Sequence, residues 1–226
     1  MNVISQTALI SLFIQIIIAI IGIIGIQLPL TPKYVILREL LTMETIVQII
    51  ELIYYVWLIY NFSTIHYDVT YTRYFDWILS TPIMIISTVL YMKYRTTPSE
   101  TPIRLAPLFM ENIHSIWNIL LFNWVMLLFG FLGERKWLSR INGFLWGTIA
   151  FCISFFLIYA NFVGNDIINQ YLFWFMFVFW GMYGVAYCFS YAIKNSMYNI
   201  LDIFSKNFYG LFLSYEVWNA YQNSKN

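Results

Sequence analysis

Lys206 stands in the run LDIFSKNFYG, inside the last long apolar segment of the chain, with Asp202 four residues before it. An ionisable group at mid-bilayer costs about 3 kcal/mol unless a partner or water offsets it. Asp202 is such a partner by spacing, because residues i and i+4 share a helix face. A plain intrahelical ion pair is one reading of the two. The other is chemical: a lysine in a dry apolar pocket can lose its proton and condense with an aldehyde to form a Schiff base. That chemistry needs counter-ions, a flat aromatic box and a scaffold to hold them.

The segment TRYFDWILSTP supplies candidates for the first two. Arg73, Asp76 and Ser80 follow one another at spacings of three and four, which puts them on one helical stripe. An Arg–Asp pair near the headgroups, where arginine can snorkel, accounts for Arg73 better than for Asp76. Trp77, Thr81 and Pro82 directly beyond give the segment the character of a binding wall. Two carboxylates, Asp76 and Asp202, facing one protonated nitrogen at Lys206 would offset its burial.

A third pattern lies earlier in the chain. Glu44, Gln48, Glu51 and Tyr55 recur at i, i+4, i+7 and i+11, one polar stripe through an otherwise apolar helix, and Ser11 and Gln15 form a shorter one. Lipid would not tolerate those faces, so they must point into the bundle or into a water-filled path. Interhelical hydrogen bonds worth about 1 kcal/mol each would explain the stripe structurally. A negative, hydrated path would instead attract cations and reject anions. Asn207 adds an amide at the depth of Lys206.

These groups need an apolar scaffold, and the composition provides it. The chain is 61% hydrophobic and 10% charged, with a mean hydropathy of +0.69, which excludes a soluble domain and indicates a polytopic protein partnered by the lipid bilayer. Seven apolar stretches are predicted, at about 5–28, 40–62, 71–93, 106–132, 137–161, 168–192 and 196–221. Only helices satisfy their own backbone in lipid, and the long runs lack the alternation of barrel strands. The fold class is therefore an all-α membrane protein, a seven-transmembrane helix bundle, with residues 1–226 forming a single domain.

A net charge of +1 with scattered basic residues gives no surface for nucleic acid. Cys152 and Cys188 read as small packing residues inside spans. His66 and His114 have no ligand-spaced neighbours, so no metal site is expected. MNVISQ carries no basic residue, and the first span is expected to remain in the mature protein. Lys33 and Arg38 after that span put the N-terminus outside and, after seven spans, the C-terminus in the cytoplasm, although Arg135, Lys136 and Arg140 on the other side pull against this.

RYFDWILSTP together with LDIFSK resembles the microbial (type I) rhodopsins. The resemblance implies that Lys206 carries all-trans-retinal as a protonated Schiff base, that Asp76 is the primary counter-ion and proton acceptor with Asp202 as second counter-ion, and that Arg73 orders water beneath them. It further implies that Tyr55 bonds towards Asp202. FWGMYG resembles the family's segment around the ionone ring, giving Trp180 and Tyr183 as ring contacts, Gly184 where the family usually has proline, and Tyr187 one turn further on. Trp77 and Thr81 would line the polyene; Asn123, Met126 and Gly130 in the fourth span and Trp146 in the fifth would complete the pocket.

How light is used is a separate question. In the family's outward proton pumps a carboxylate lies three turns past the counter-ion; here that place holds Ser87, which cannot exchange a proton near neutral pH. SKN with a glutamate on the second helix resembles the central gate of the channelrhodopsins, so Ser11, Glu51 and Asn207 would form a constriction, with Glu44 and Gln48 along the ion path. The cysteine–aspartate gate of the algal channels is absent, Thr81 and Asn123 occupying those places. The compact chain also resembles the viral rhodopsins of large DNA viruses of algae and protists. The expected function is a light-gated cation channel passing monovalent cations or protons, with a light-driven outward proton pump as alternative and a photosensor third. The protein is not expected to be an enzyme. A homo-oligomer is suggested by analogy alone.

Overall fold

The computed structural model describes residues 3–61, 68–98 and 101–225. His66 and part of the RTTPSETP turn lie outside them. The first three spans are single helices: α1 (Val3–Ile26), α2 (Val35–Asn61) and α3 (Arg73–Thr96). The fourth is α4 (Leu105–Glu111) followed by α5 (Ile113–Glu134), the fifth α6 (Arg140–Ile158) with a π turn over Tyr159–Val163, and the sixth α7 (Ile167–Tyr187). The seventh runs as α8 (Tyr191–Asp202), a π turn (Ile203–Asn207) and α9 (Phe208–Lys225). The seven expected stretches thus all appear, with the fourth and seventh subdivided.

Each subdivision has a local cause or consequence. At Asn112 the backbone leaves helical geometry (φ −107°, ψ 9°), and its side-chain amide donates to the Leu108 carbonyl at 2.8 Å, the competition with the helical ladder expected of asparagine. The π turn in the seventh span holds Lys206 itself, and such widened turns recur at functional positions. Gly164, at φ +58° and ψ −150°, makes the turn into α7 in a conformation closed to side chains with a Cβ.

Among the described residues, five helices are long and apolar enough to cross a membrane by length and composition. The sixth span is loaded with Trp and Tyr, which lower its hydropathy, and the seventh carries Asp202 and Lys206. In α3 the most apolar window is 72% buried, against 28% in α1, so α3 is the axis of the bundle and α1 faces outward. α2 packs on α1, α3 and α9, while α5 packs on α6 and α7 on α8. The outer surface presents Phe13, Ile53, Phe75, Phe156 and Ile141, apolar side chains that lipid rather than water would solvate.

Candidate functional site

Lys206 is 2% exposed and lies at the centre of the bundle. Its Nζ donates to Asp76 Oδ2 at 2.7 Å, and faces Glu51 Oε1 at 3.6 Å and Asp202 Oδ1 at 3.9 Å. Three helices, α2, α3 and the seventh span, therefore each bring a carboxylate to one amine. The expectation named two. Glu51, read from the sequence as a gate residue, is also an ion-pair partner of the lysine, because the turn of α2 that carries it packs against the π turn.

The next layer fixes Asp202. Tyr55 donates to its Oδ2 at 2.7 Å and Tyr183 to its Oδ1 at 2.6 Å, while Arg73 Nη1 approaches at 3.5 Å. The Tyr55 bond is as expected. Tyr183 lines the cavity but directs its hydroxyl to Asp202 and Ser205, beside the lysine, so its polar end belongs with the carboxylates around the amine. Arg73 is 1% exposed and caged. Asn199 Oδ1 accepts from its Nη2 at 2.5 Å and Asn195 Oδ1 from its Nε at 3.2 Å, and the rings of Tyr54, Tyr55 and Tyr198 surround the guanidinium at 5.6 to 5.8 Å. Asn199 also donates to Thr7 and to the Ile4 carbonyl on α1. Neither asparagine was singled out from the sequence.

Beside Lys206 lies a cavity of about 370 Å³, lined by Trp77, Thr81, Met126, Gly130, Trp180, Tyr183 and Tyr187 among others. The volume lies in the range of small-molecule pockets, the walls are aromatic or small, and the amine stands at the lining. The fit to a flat apolar polyene aldehyde rests on this arrangement. A Cβ at Gly130 would meet the Tyr74 hydroxyl at 2.5 Å, so any side chain there would displace the Tyr74 ring.

Two expected pocket residues stand elsewhere. Trp146 is 49% exposed and stacks on Phe129 at 6.2 Å. α6 turns Gly143, Gly147 and Phe151 inward at four-residue spacing, and one residue's rotation of about 100° carries Trp146 outside. Phe151 is the aromatic that this helix gives the cavity. Asn123 is buried behind the wall, donating to Thr81 Oγ1 at 2.8 Å. Ser80 is buried one turn beyond Asp76. The cysteines are not interior packing: Cys152 is exposed at the cavity rim, and Cys188 is exposed just past α7.

On the other side of Lys206 the α2 stripe is wholly internal, with Glu44 and Glu51 at 0% exposure and Gln48 at 2%. Glu44 accepts from Ser87. Gln15 donates to Ser11 at 3.0 Å. Among the described residues, both polar atoms of Gln48 and of Asn207, and one oxygen each of Glu44 and Gln15, have no hydrogen-bond partner. Ser11, Glu51 and Asn207 are not bonded to one another.

A family described as bacteriorhodopsin-like protein matches residues 6–220. The viral rhodopsin OLPVRII is similar at 26% identity and a TM-score of 0.84, over 94% of this chain and 96% of that one. A blue light-absorbing proteorhodopsin from Med12 superposes at 20% identity and a TM-score of 0.72, over 96% of both chains. The proton pumping rhodopsin AR2 from the marine alga Acetabularia acetabulum does so at 17% and 0.74, over 95% of this chain and 94% of that one. No curated protein matches. With a match over nearly its whole length, and with a buried lysine beside an aromatic cavity, this chain belongs to the bacteriorhodopsin-like family, seven-helix membrane proteins that hold retinal covalently on a lysine.

Proposed function

We propose that the protein is a light-gated cation channel with retinal attached to Lys206. The observation that carries this reading is the set of buried polar atoms on Gln48, Asn207, Glu44 and Gln15 that have no protein partner among the described residues. Buried polar groups are nearly always satisfied, so water must complete these. Water beside two glutamates makes a path that favours cations. Three carboxylates, Asp76, Glu51 and Asp202, also face two cations, Lys206 and Arg73, leaving one negative charge for a proton or a hydrated cation to balance.

Retinal supplies photon absorption and a change of shape; the protein supplies the rest. Asp76, at 2.7 Å, is placed to accept the proton of the Lys206 nitrogen. Discharging that pair frees Glu51, at 3.6 Å from the same nitrogen, to turn towards Asn207 and the hydrated stripe. The N-terminus outside and the C-terminus in the cytoplasm remain the orientation that the loop charges favour.

One observation favours a second reading, an outward proton pump. The third-helix position of the pumps' proton-donating carboxylate is Ser87, and Ser87 donates to Glu44. A carboxylate on α2 then stands where one on α3 is missing.

Voltage-clamp photocurrents separate the two. A channel's current reverses when the cation gradient is inverted. A current that keeps its sign at all voltages and gradients sinks the channel reading and leaves the pump.

A further inference from the structure

Lys206 in this arrangement is an ion-paired ammonium, and an ammonium has no lone pair with which to attack a carbonyl. Forming a C–N bond to an aldehyde therefore requires a base at the nitrogen and an acid at the aldehyde oxygen, inside a site shut off from bulk water. We infer that Asp76 performs both tasks, so that the protein catalyses the attachment of its own chromophore. The inference rests on retinal binding at Lys206.

The three carboxylates around the amine differ in what they have free. Asp202 is committed: Tyr55, Tyr183 and Arg73 already occupy its oxygens. Glu51 has free oxygens but stands 3.6 Å from Nζ, beyond a normal hydrogen bond. Asp76 combines a 2.7 Å contact through Oδ2 with an Oδ1 that has no hydrogen-bond partner among the described residues. One oxygen can take a proton from nitrogen while the other passes one on. Asp202, Glu51, Arg73, Tyr55 and Tyr183 are the other charged or titratable groups that face this cluster.

The steps balance. Asp76 takes one proton from the ammonium, and the freed nitrogen bonds to the aldehyde carbon. Asp76 delivers that proton to the aldehyde oxygen. It then strips a second proton from the nitrogen and delivers it to the same oxygen, which leaves as water. A C=N double bond has replaced the C=O double bond, two N–H bonds have become the two O–H bonds of water, and no oxidant or reductant is involved. Asp76 ends as a carboxylate beside a positively charged nitrogen, the state in which it began.

The test mixes the full-length apoprotein with all-trans-retinal in the dark. Retinal uptake is followed by quenching of the fluorescence of Trp77 and Trp180, which line the cavity. Bond formation is followed separately by quenching samples with borohydride and counting the reduced adduct on the Lys206 peptide by mass spectrometry. Asp76→Asn is expected to leave uptake at the wild-type rate and to slow adduct formation about a hundredfold, the usual size of a general acid–base contribution. Asp76→Glu is expected to restore most of the rate. In the unmodified chain, adduct formation but not uptake should be slower in D2O.

Adduct formation in Asp76→Asn at the wild-type rate overturns the inference. So does an equal slowing in Glu51→Gln or Asp202→Asn, or the absence of a D2O effect. If the wild-type chain gives no adduct, or Lys206→Ala gives as much, the attachment site itself falls; if wild type and Asp76→Asn are alike, only the role of Asp76 does.

Discussion

Two buried polar regions flank Lys206, and they are built in opposite ways. On the Arg73 side every polar group named is paired: Arg73 with Asp202, Asn195 and Asn199, Asn195 with Thr70, and Asn199 with Thr7 and α1. On the Glu44 side Gln48 and Asn207 have no hydrogen-bond partner among the described residues, and Glu44 has one. Both regions are equally shut away from the surface. A satisfied network is rigid and specifies one structure, whereas an unsatisfied one must be completed by water. The bundle is thus sealed on one side of Lys206 and wettable on the other, and on the channel reading proposed above the wettable half is the one that would carry ions.

The same chemical change on the two sides should therefore have opposite consequences. Asn199→Leu deletes bonds to Arg73, Tyr55, Thr7 and the Ile4 carbonyl and strands a buried guanidinium donor. Leaving a buried donor unsatisfied costs about 1–3 kcal/mol, more for a charged group, so a loss of about 3 kcal/mol is expected in denaturant unfolding of the pigment. Gln48→Leu removes an amide with no hydrogen-bond partner among the described residues and should change stability by less than about 1 kcal/mol. Its effect belongs to conduction: an apolar side chain dewets the stripe, and photocurrent should fall severalfold with the absorption band intact. If Gln48→Leu destabilises as much as Asn199→Leu, the two regions are alike and the contrast is lost.

The wettable side was legible in the sequence and the sealed side only in part. Glu44, Gln48, Glu51 and Tyr55 announce themselves because charged groups at helical spacing are expensive in lipid. Lys206, Asp202 and Asp76 stand out for the same reason. Asn195 and Asn199 do not, because an amide in a span is cheap and their partners on α1 and α3 lie more than a hundred residues away. The ion pair of Lys194 with Glu134, buried between the fourth and seventh spans, is hidden in the sequence as well. The outward turn of Trp146 is hidden in the sequence because α6 carries aromatic residues on several faces, so composition gives no facing direction. The break at Asn112 needed the side-chain bond to Leu108 to be seen.

Glu44 sharpens the comparison further, since it is the stripe carboxylate that accepts a hydrogen bond from α3, through Ser87. If it supplies protons, Glu44→Gln keeps the size and the bond to Ser87 yet cannot release a proton. Return of the proton to the Lys206 nitrogen, read as recovery of the visible band after a flash, should slow by at least about tenfold. Unchanged recovery with reduced current assigns Glu44 to the ion path instead. Ser87→Ala serves as the paired control, removing the bond and leaving the carboxylate.

The wettable half must still be closed at its rim, and the smallest effect tests that. Asp166 caps α7 by accepting from the backbone N–H of Ile168 and Asn169 at 3.0 Å, and it binds Arg95 of α3 through two bonds of 3.0 Å. The Arg95 hydrogen bonds, then the backbone donors, hold the Asp166 carboxyl below its ordinary range. A depressed folded-state value means that the clamp contributes fully above the unfolded carboxyl value of about 3.9 and is lost as pH falls through the lower folded one. Asp166→Ala should cost about 1 kcal/mol at neutral pH, the usual worth of an N-cap, and the difference from wild type should shrink as the medium is acidified below about pH 4. Because the clamp is peripheral, photocurrent and gating should survive its removal. A collapse of photocurrent in Asp166→Ala would mean that the looseness of the stripe depends on the rim, and that the wettable half is held open from its end rather than by its own unpaired side chains.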